Sequence, residues 1–474
     1  MKKGTFISST LLCFIAVFLL LSLNALHLSA QSSLNNTKVD GYRGIWFELN
    51  QKSAYGDKYS GGLGTYTAKH NPLAIYASEV DKTFFVYGGT TSANEKYLLC
   101  MIGEFDHKSG MVSLPTVVHD KQGVDDPHDN PSLTIDDDGY IWVFVSGRNT
   151  RRLGFKYRSK KPYSIEAFEQ VSEEVFTYPQ IWKTDEGFFH LFTKYTGVRQ
   201  LYFETSTEGL EWSDDKQLAA IPQNEGEKSG HYQLSYCYEG KLIGTFFNRH
   251  INGHPDTRTD LYYLQTKDFG KTWTDVHGNA IEIPLQNKNV SAQVMDYHSL
   301  GKNVYMKDMG YDSGGNPVCL YIRSNGYLPG PDSAPYEWCV SKWIGEKWQT
   351  TVITTSDHNY DMGSLFIEKQ TWKVVGPTQI GPQKYGAGGE LVIWESKNEG
   401  ESWKKSIEVT AKSKMNHGYV RRPLNYKSPF CFFWADGDPH QFSRSTLYFG
   451  DFEGNVWQLP YNMDQKYVKP ITIK

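Results

Sequence analysis

Thr266-Lys267-Asp268-Phe269-Gly270-Lys271-Thr272-Trp273 is the stretch whose reading decides the fold. The acid is placed to accept turn amides, the glycine can take the positive φ of a tight reversal, and the tryptophan can pack beneath the hairpin. Ser206-Thr207-Glu208-Gly209-Leu210-Glu211-Trp212 and Ser396-Lys397-Asn398-Glu399-Gly400-Glu401-Ser402-Trp403 repeat the pattern. These turns read as structure, not as catalytic groups. A second recurring unit is interleaved with them, a polar turn followed by a β-branched and aromatic run. Its copies begin at Asp81, Asp138, Asp185, Glu239, Gly301 and Lys369, with a weaker one at Trp434-Ala435-Asp436-Gly437. That makes about seven units at roughly 50- to 70-residue intervals, and four strands per unit predicts an all-β, seven-bladed β-propeller.

The N-terminus reads differently. Met1-Lys2-Lys3 precedes the apolar run Leu11–Leu21, and polar Ser22, Asn24 and His27 interrupt it before Ala30. A basic start, a short apolar core and a small residue at the end are the marks of a secretory signal. Residues 1–30 are therefore expected to be removed, leaving residues 31–474 as one propeller domain, secreted or periplasmic, with no membrane partner after cleavage. Aromatic residues make up 15% of the chain, with 31 Tyr and 13 Trp, while the net charge is only −4. Such a balance carries no electrostatic footprint for nucleic acid, and flat rings suit sugar faces. Of the cysteines beyond the signal, Cys319 and Cys339 are close enough to suggest a local pair. They could be two buried thiols, a disulfide, or half of a structural zinc site completed by His298 or His358.

The Asp-containing turns resemble the Asp-box, or BNR, turn of sialidase-like propellers. Gly41-Tyr42-Arg43-Gly44-Ile45-Trp46-Phe47, Lys58-Tyr59-Ser60-Gly61-Gly62-Leu63-Gly64-Thr65-Tyr66, Phe84-Phe85-Val86-Tyr87-Gly88-Gly89 and Tyr419-Val420-Arg421-Arg422-Pro423 extend the likeness. They are similar to BNR-repeat proteins that include propeller-type ulvan lyases. Related propellers act on rhamnose–glucuronate linkages, so the resemblance implies an anionic, uronate-containing glycan as partner and no required organic cofactor.

Propeller sites form where loops from distant parts of the chain converge. Three loops carry groups out of character for turns: Asp125-Asp126-Pro127-His128-Asp129-Asn130-Pro131, Ser229-Gly230-His231-Tyr232-Gln233, and Phe246-Phe247-Asn248-Arg249-His250. Their chemistry suits β-elimination beside a carboxylate, which needs a base for the C5 proton, an acid for the departing O4 and a cation against the carboxylate. Arg249 offers a planar fork for that carboxylate, although pairing with Asp260 is its alternative. The resemblance implies a histidine, a tyrosine and an arginine in these roles, and the motifs place them at His128, Tyr232 and Arg249. Arg148, Asn130, Lys194, Tyr195, His231, His250 and Arg258 are the candidate substrate contacts, and Arg199 lies in the same polar loop as Lys194. In the ulvan lyase pattern a second histidine follows the first; here that place reads Ser146-Gly147-Arg148-Asn149-Thr150-Arg151-Arg152, and Arg148 can supply the charge instead.

The expected activity is elimination at a uronic acid of an ulvan-type glycan. It takes the form of chain cleavage by a polysaccharide lyase or of water loss from C4 by an oligosaccharide dehydratase. A propeller glycoside hydrolase of the α-L-rhamnosidase type and a non-catalytic glycan-binding propeller are the alternatives.

Overall fold

The computed structural model of the protein describes residues 34–92, 95–222 and 229–474. The proposed signal at residues 1–30 lies outside them. Among the described residues no helix is long and apolar enough to cross a membrane.

Short aromatic and β-branched runs punctuated by turn residues fold into antiparallel sheets throughout, so the all-β class is observed. Seven sheets of four or more strands follow one another, beside a three-stranded and a two-stranded one. We number the seven by their first strands: sheet 1 opens with Ala74–Ala77, sheet 2 with Pro131–Ile135, sheet 3 with Thr177–Thr184 and sheet 4 with Gln233–Tyr238. Sheet 5 opens with Asn303–Tyr311, sheet 6 with Ser364–Glu368 and sheet 7 with Asn416–Arg421. First strands of successive sheets touch from sheet 2 through sheet 6. Leu424, just after the first strand of sheet 7, bridges to Ile75 in the first strand of sheet 1. The chain end also returns, with Tyr467–Val468 pairing with Met111–Ser113 of sheet 1.

The space between sheets is filled by aromatics. Sheets 2 to 7 each bury one tryptophan completely or nearly so: Trp142, Trp182, Trp273, Trp338, Trp372 and Trp434. Each such ring removes roughly 150–250 Å² from water, a gross gain on the order of 4–6 kcal/mol before entropy is charged against it. Buried polar atoms are paired across the same seams. Gln180 of sheet 3 donates to the Gln233 carbonyl at 2.9 Å and accepts from the Ser235 amide at 2.6 Å, which fixes the spacing of sheets 3 and 4.

The three Asp-box turns all join the third and fourth strands of their sheets. In each, a hydroxyl (Ser206, Thr266 or Ser396) accepts from the amide of the glycine, at 2.8, 3.0 and 2.9 Å. Those glycines, Gly209, Gly270 and Gly400, have φ of 81°, 81° and 80°, where a side chain would be strained. Five of the hairpin turns read from sequence, at Asp81, Asp138, Asp185, Glu239 and Lys369, join first to second strands as expected. Two do not. Gly301 precedes the first strand of sheet 5, whose hairpin turn is Asp312–Asn316, and Trp434–Gly437 lies inside the strand Phe432–Gly437. Both errors arose because a glycine beside an aromatic run marks a strand boundary without saying which one.

Of the three readings of Cys319 and Cys339, two buried thiols is the one observed, and the disulfide and the half zinc site are corrected. Both are free, buried thiols in the core, where Cys319 donates to the Leu320 carbonyl and Cys339 to the Glu337 carbonyl. Burial pushes the Cys339 thiol up to about 12, the wrong direction for a thiolate ligand. Among the described residues no group of three or more His, Cys, Asp or Glu could hold a metal, so neither half of a zinc site is present there.

Candidate active site

One cavity of about 300 Å³ collects side chains from strands of sheets 3, 4, 5 and 7 and from loops before or within sheets 1, 2 and 6. Six of its seven tyrosines come from the first strands or the residues before them: Tyr66 before sheet 1, Tyr178 in sheet 3, Tyr232 before sheet 4, Tyr305 in sheet 5, Tyr360 before sheet 6 and Tyr419 in sheet 7; the seventh, Tyr59, precedes the short strand Ser60–Gly62. His128 stands in the same place before sheet 2. Three of its cations come from where second strands pass into third strands: Arg148 in the connection of sheet 2, and Arg199 and Arg258 as the first residues of the third strands of sheets 3 and 4. Lys69, Lys307 and Lys58 complete the set.

His128 is held by its own loop. Asp126 caps the turn Pro127–Asp129 by accepting from the His128 amide at 3.1 Å, and the same oxygen takes His128 Nδ1 in a short contact. Arg152 anchors the Asp126 carboxylate at 2.7 Å, and Arg148 lies 3.7 Å from it. With Nδ1 committed, Nε2 is the nitrogen left for a ligand. The ring edge meets Tyr59, Tyr66 and Tyr178 at centroid separations of 6.2, 5.6 and 5.8 Å. Burial depresses its pKa below the usual 6.5 despite the opposing pull of Asp126, so the imidazole is neutral at neutral pH.

Tyr232 sits on the other side of Tyr178, with ring centroids 5.7 Å apart. Lys69, Arg199 and Arg258 lie 4.8, 5.6 and 4.6 Å from its ring centroid. Burial alone would raise the phenol pKa. Arg199, Arg258, the adjacent Tyr178 hydroxyl and Arg148 outweigh it and hold Tyr232 below the ordinary 10.0. Tyr178, between the two, is pushed the opposite way by burial and by Tyr232. Its φ of 58° is left-handed backbone on a bulky residue, a conformation costing on the order of 1–3 kcal/mol that persists where surroundings impose it.

The cations are under-compensated. Asp256 is the one acid among the described lining residues, and Lys58 takes it at 2.5 Å. The Arg199 guanidinium stands between the Tyr195 and Tyr232 rings, at 5.5 and 5.6 Å from their centroids. Arg148 Nη1 is buried without a hydrogen bond. Arg258 donates to Tyr360 at 2.6 Å and to the Pro255 carbonyl at 2.7 Å, neither of which removes its charge. Burial and the surrounding cations press Lys69 well below the usual lysine range, and burial brings Lys307 down to about 7 despite the nearby Asp361. A cavity so charged is built to receive an anion.

Of the residues singled out in the sequence, His128, Tyr232, Arg148, Arg199 and Arg258 meet at this cavity. Arg249 does not. Its guanidinium is buried against Asp260, with hydrogen bonds of 3.0 and 2.9 Å, because alternation along Leu242–His250 turns it to the face opposite His250. Arg249→Ala should therefore strand Asp260 and cost about 3–5 kcal/mol of stability in chemical denaturation, while turnover per folded molecule persists. His250 backs Tyr232 at 4.6 Å without lining the cavity. His231 is a structural bracket: Nε2 accepts from the Ile221 amide at 3.1 Å, Nδ1 donates to the Asn248 carbonyl at 2.9 Å, and burial brings its pKa to about 4. Asn130 ties down the loop ahead of it by donating to the Leu63 and Tyr66 carbonyls at 2.6 and 2.7 Å. Lys194 is paired with Asp215 away from the cavity, and Tyr195, half exposed, faces a neighbouring one.

Sequence reasoning missed Tyr66, Lys69, Tyr178, Tyr305, Lys307, Tyr360 and Tyr419 as site residues. The signal was a tyrosine recurring at the start of first strands, invisible until the strands were correctly bounded.

Comparisons with known proteins follow the same line. The ulvan lyase of Alteromonas sp. (strain LOR) is 22% identical over 328 residues, 61% of this chain and 64% of that protein. The chain thus spans just under two thirds of that relative. The ulvan lyase of Nonlabens ulvanivorans is 24% identical over 338 residues, 62% of this chain and 67% of that one. Among solved structures, an ulvan lyase described as founding a new polysaccharide lyase family superposes with a TM-score of 0.69 at 14% identity, covering 92% of this chain and 98% of that one. The same kind of enzyme bound to -[GlcA(1-4)Rha3S]- gives 0.68 at 14% identity with the same coverage. At these identities the superpositions speak for the fold. The pattern of the BNR repeat-containing family matches residues 100–356, more than half of the sequence, and the chain belongs to that family.

Proposed function

We propose that this chain is a secreted polysaccharide lyase that performs β-elimination at the uronate of a sulfated rhamnose–glucuronate glycan of the ulvan type. Its seven sheets would be the blades of a closed propeller, a reading supported by the contacts between first strands, the Ile75–Leu424 bridge and the returning C-terminal strand. The observation that carries the function is the set of six cations, of which only Lys58 and Arg148 have a carboxylate within 4 Å among the described residues, around a neutral imidazole and an acidified phenol. Export rests on the apolar run before Ala30.

In this mechanism His128 Nε2 takes the C5 proton of the uronate. The electron pair forms the C4–C5 double bond as the C4–O4 bond breaks, and Tyr232 gives its phenolic proton to O4. Negative charge gathers first on the C5 carboxylate, where Arg148 and Arg199 neutralise it, and then on the Tyr232 oxygen, where Arg199 and Arg258 do so. Solvent returns the proton from His128 to Tyr232. Sequence reasoning gave the carboxylate clamp to Arg249; with Arg249 spent on Asp260, Arg148 and Arg199 take that role.

A second reading has its own observation. The Lys58–Asp256 ion pair joins the segment after the hairpin that begins at Lys52–Ser53 to the segment His254–Asp256 that follows the turn Ile251–Gly253, and both segments line the cavity. A cavity walled in this way suits a chain end. A terminal uronate held there would lose water from C4 instead of a sugar, making the protein a dehydratase. Purified protein incubated with ulvan and with ulvan oligosaccharides decides between them. New ultraviolet absorbance with shorter chains by mass spectrometry supports the lyase; absorbance with loss of one water and no cleavage supports the dehydratase. Saturated sugar release would overturn both in favour of a hydrolase, and no product would favour a binding propeller.

A further inference from the structure

A second cavity, of about 270 Å³, lies against the first. The two share Arg148, Tyr178 and Arg199, so one wall of side chains separates them. The new faces of the second cavity are Asn149, Thr177, Thr193 and Tyr195. Tyr195 is 50% exposed, which for a large ring at the mouth of a polar cavity is an open stacking surface. Arg199 spans the wall: its guanidinium is 5.5 Å from the Tyr195 ring on one side and 5.6 Å from the Tyr232 ring on the other. Arg148 brings Nη1, which is buried, makes no hydrogen bond and stands 3.7 Å from the Asp126 carboxylate. No carboxylate lines the second cavity among the described residues.

We infer that this second cavity is a subsite for the sugar next to the uronate, that it holds that sugar's face on Tyr195, and that it binds an anionic group through Arg199 and Arg148. The inference rests on the proposed substrate class. A glycan whose uronate fills the first cavity must continue past one of its walls, and this wall opens onto a space of similar size. The anion can be a sulfate on the adjoining sugar or the carboxylate of the following uronate, since both present planar or near-planar pairs of oxygens to a guanidinium fork. With that sugar being the one linked at O4, a disaccharide that begins with the uronate leaves the subsite empty, and the protein would prefer longer substrates. Tyr195 was singled out from the sequence together with Lys194; the structure separates them, leaving the lysine to Asp215.

The test is calorimetric binding, which reads out without turnover. The probes are saturated di- and tetrasaccharides of alternating glucuronate and 3-sulfated rhamnose, and the tetrasaccharide after desulfation. The intact protein should bind the tetrasaccharide about tenfold more tightly than the disaccharide, the worth of roughly one aromatic contact. Tyr195→Ala should bring that ratio close to one, and Tyr195→Phe, which keeps the ring, should restore it. Loss of the preference on desulfation assigns the anion to the sulfate; retention assigns it to the carboxylate. A ratio of one in the intact protein, or a ratio that Tyr195→Ala leaves untouched, overturns the subsite. Tight binding of both probes without any unsaturated product would instead tell against the elimination chemistry and leave the subsite standing.

Discussion

His128→Ala is expected to lower the rate of unsaturated-product formation by on the order of 10²–10⁴-fold, the worth of one positioned proton-transfer group. Binding of a saturated oligosaccharide should change far less, so the loss should fall on kcat and not on KM. The imidazole forms part of the cavity wall, with its ring edge against Tyr59, Tyr66 and Tyr178, so its removal enlarges a space that already exists. Asp126→Asn is the companion variant. In the proposed mechanism Asp126 acts through His128, fixing its tautomer and supporting the imidazolium that would form when the C5 proton arrives. Its replacement should lower kcat and move the acid limb of the pH profile further down, because the carboxylate is what offsets burial at His128. A merely structural role for Asp126 would change stability and leave that limb in place. Normal product formation by His128→Ala would remove the histidine from the mechanism.

How much of this was legible in the sequence can be argued from particular residues. The Asp-box turns were readable because their chemistry is local: a hydroxyl, a glycine at positive φ and a tryptophan within eight residues or fewer fix the turn wherever it lies. His128 was readable because an imidazole between two prolines has no turn-forming reason to be there. Arg249 was misread because a strand places successive side chains on opposite faces, and sequence does not say which face is which. Its neighbour His250 points to the Tyr232 side, and Arg249 to Asp260. The tyrosine ring was not legible at all. Tyr66, Tyr178, Tyr305, Tyr360 and Tyr419 lie scattered over hundreds of residues, and only the packing of first strands brings them to one cavity.

That ring explains how so many cations can be kept beside one another. Aromatic faces attract guanidinium and ammonium groups through their quadrupole without cancelling their charge. Arg258 illustrates this, with the rings of Tyr232, Tyr305 and Tyr360 at 4.6, 4.3 and 5.2 Å. Carboxylates in those positions would have held the arginines as well, but they would have competed with an anionic substrate for the same nitrogens. The phenols hold them and leave the charge for the ligand. The acidic residues near the site are placed accordingly: Asp126 stands behind His128, and Asp256 is engaged by Lys58.

The same field sets the second large effect, on Tyr232. In the proposed mechanism Tyr232→Phe removes the proton donor for O4, and it should lower kcat by on the order of 10²–10³-fold, within the range of general acid catalysis. The pH profile of the intact protein should be a bell displaced downward on both sides. Activity needs His128 neutral, so it is lost as pH falls through the His128 pKa, which lies below 6.5. Activity needs Tyr232 protonated, so it is lost as pH rises through the Tyr232 pKa, which lies below 10.0 because Arg199, Arg258 and their neighbours outweigh burial. In Tyr232→Phe the alkaline limb should disappear while the acid limb stays where it was. Arg199→Gln should instead keep the bell and carry its alkaline limb upward, since one of the cations that acidify the phenol is gone. A uronate bearing a good leaving group at C4 separates the two proton-transfer roles. Such a substrate needs no acid, so it should recover most of the rate lost in Tyr232→Phe and almost none of that lost in His128→Ala. The reverse pattern would make Tyr232 the base and His128 the acid.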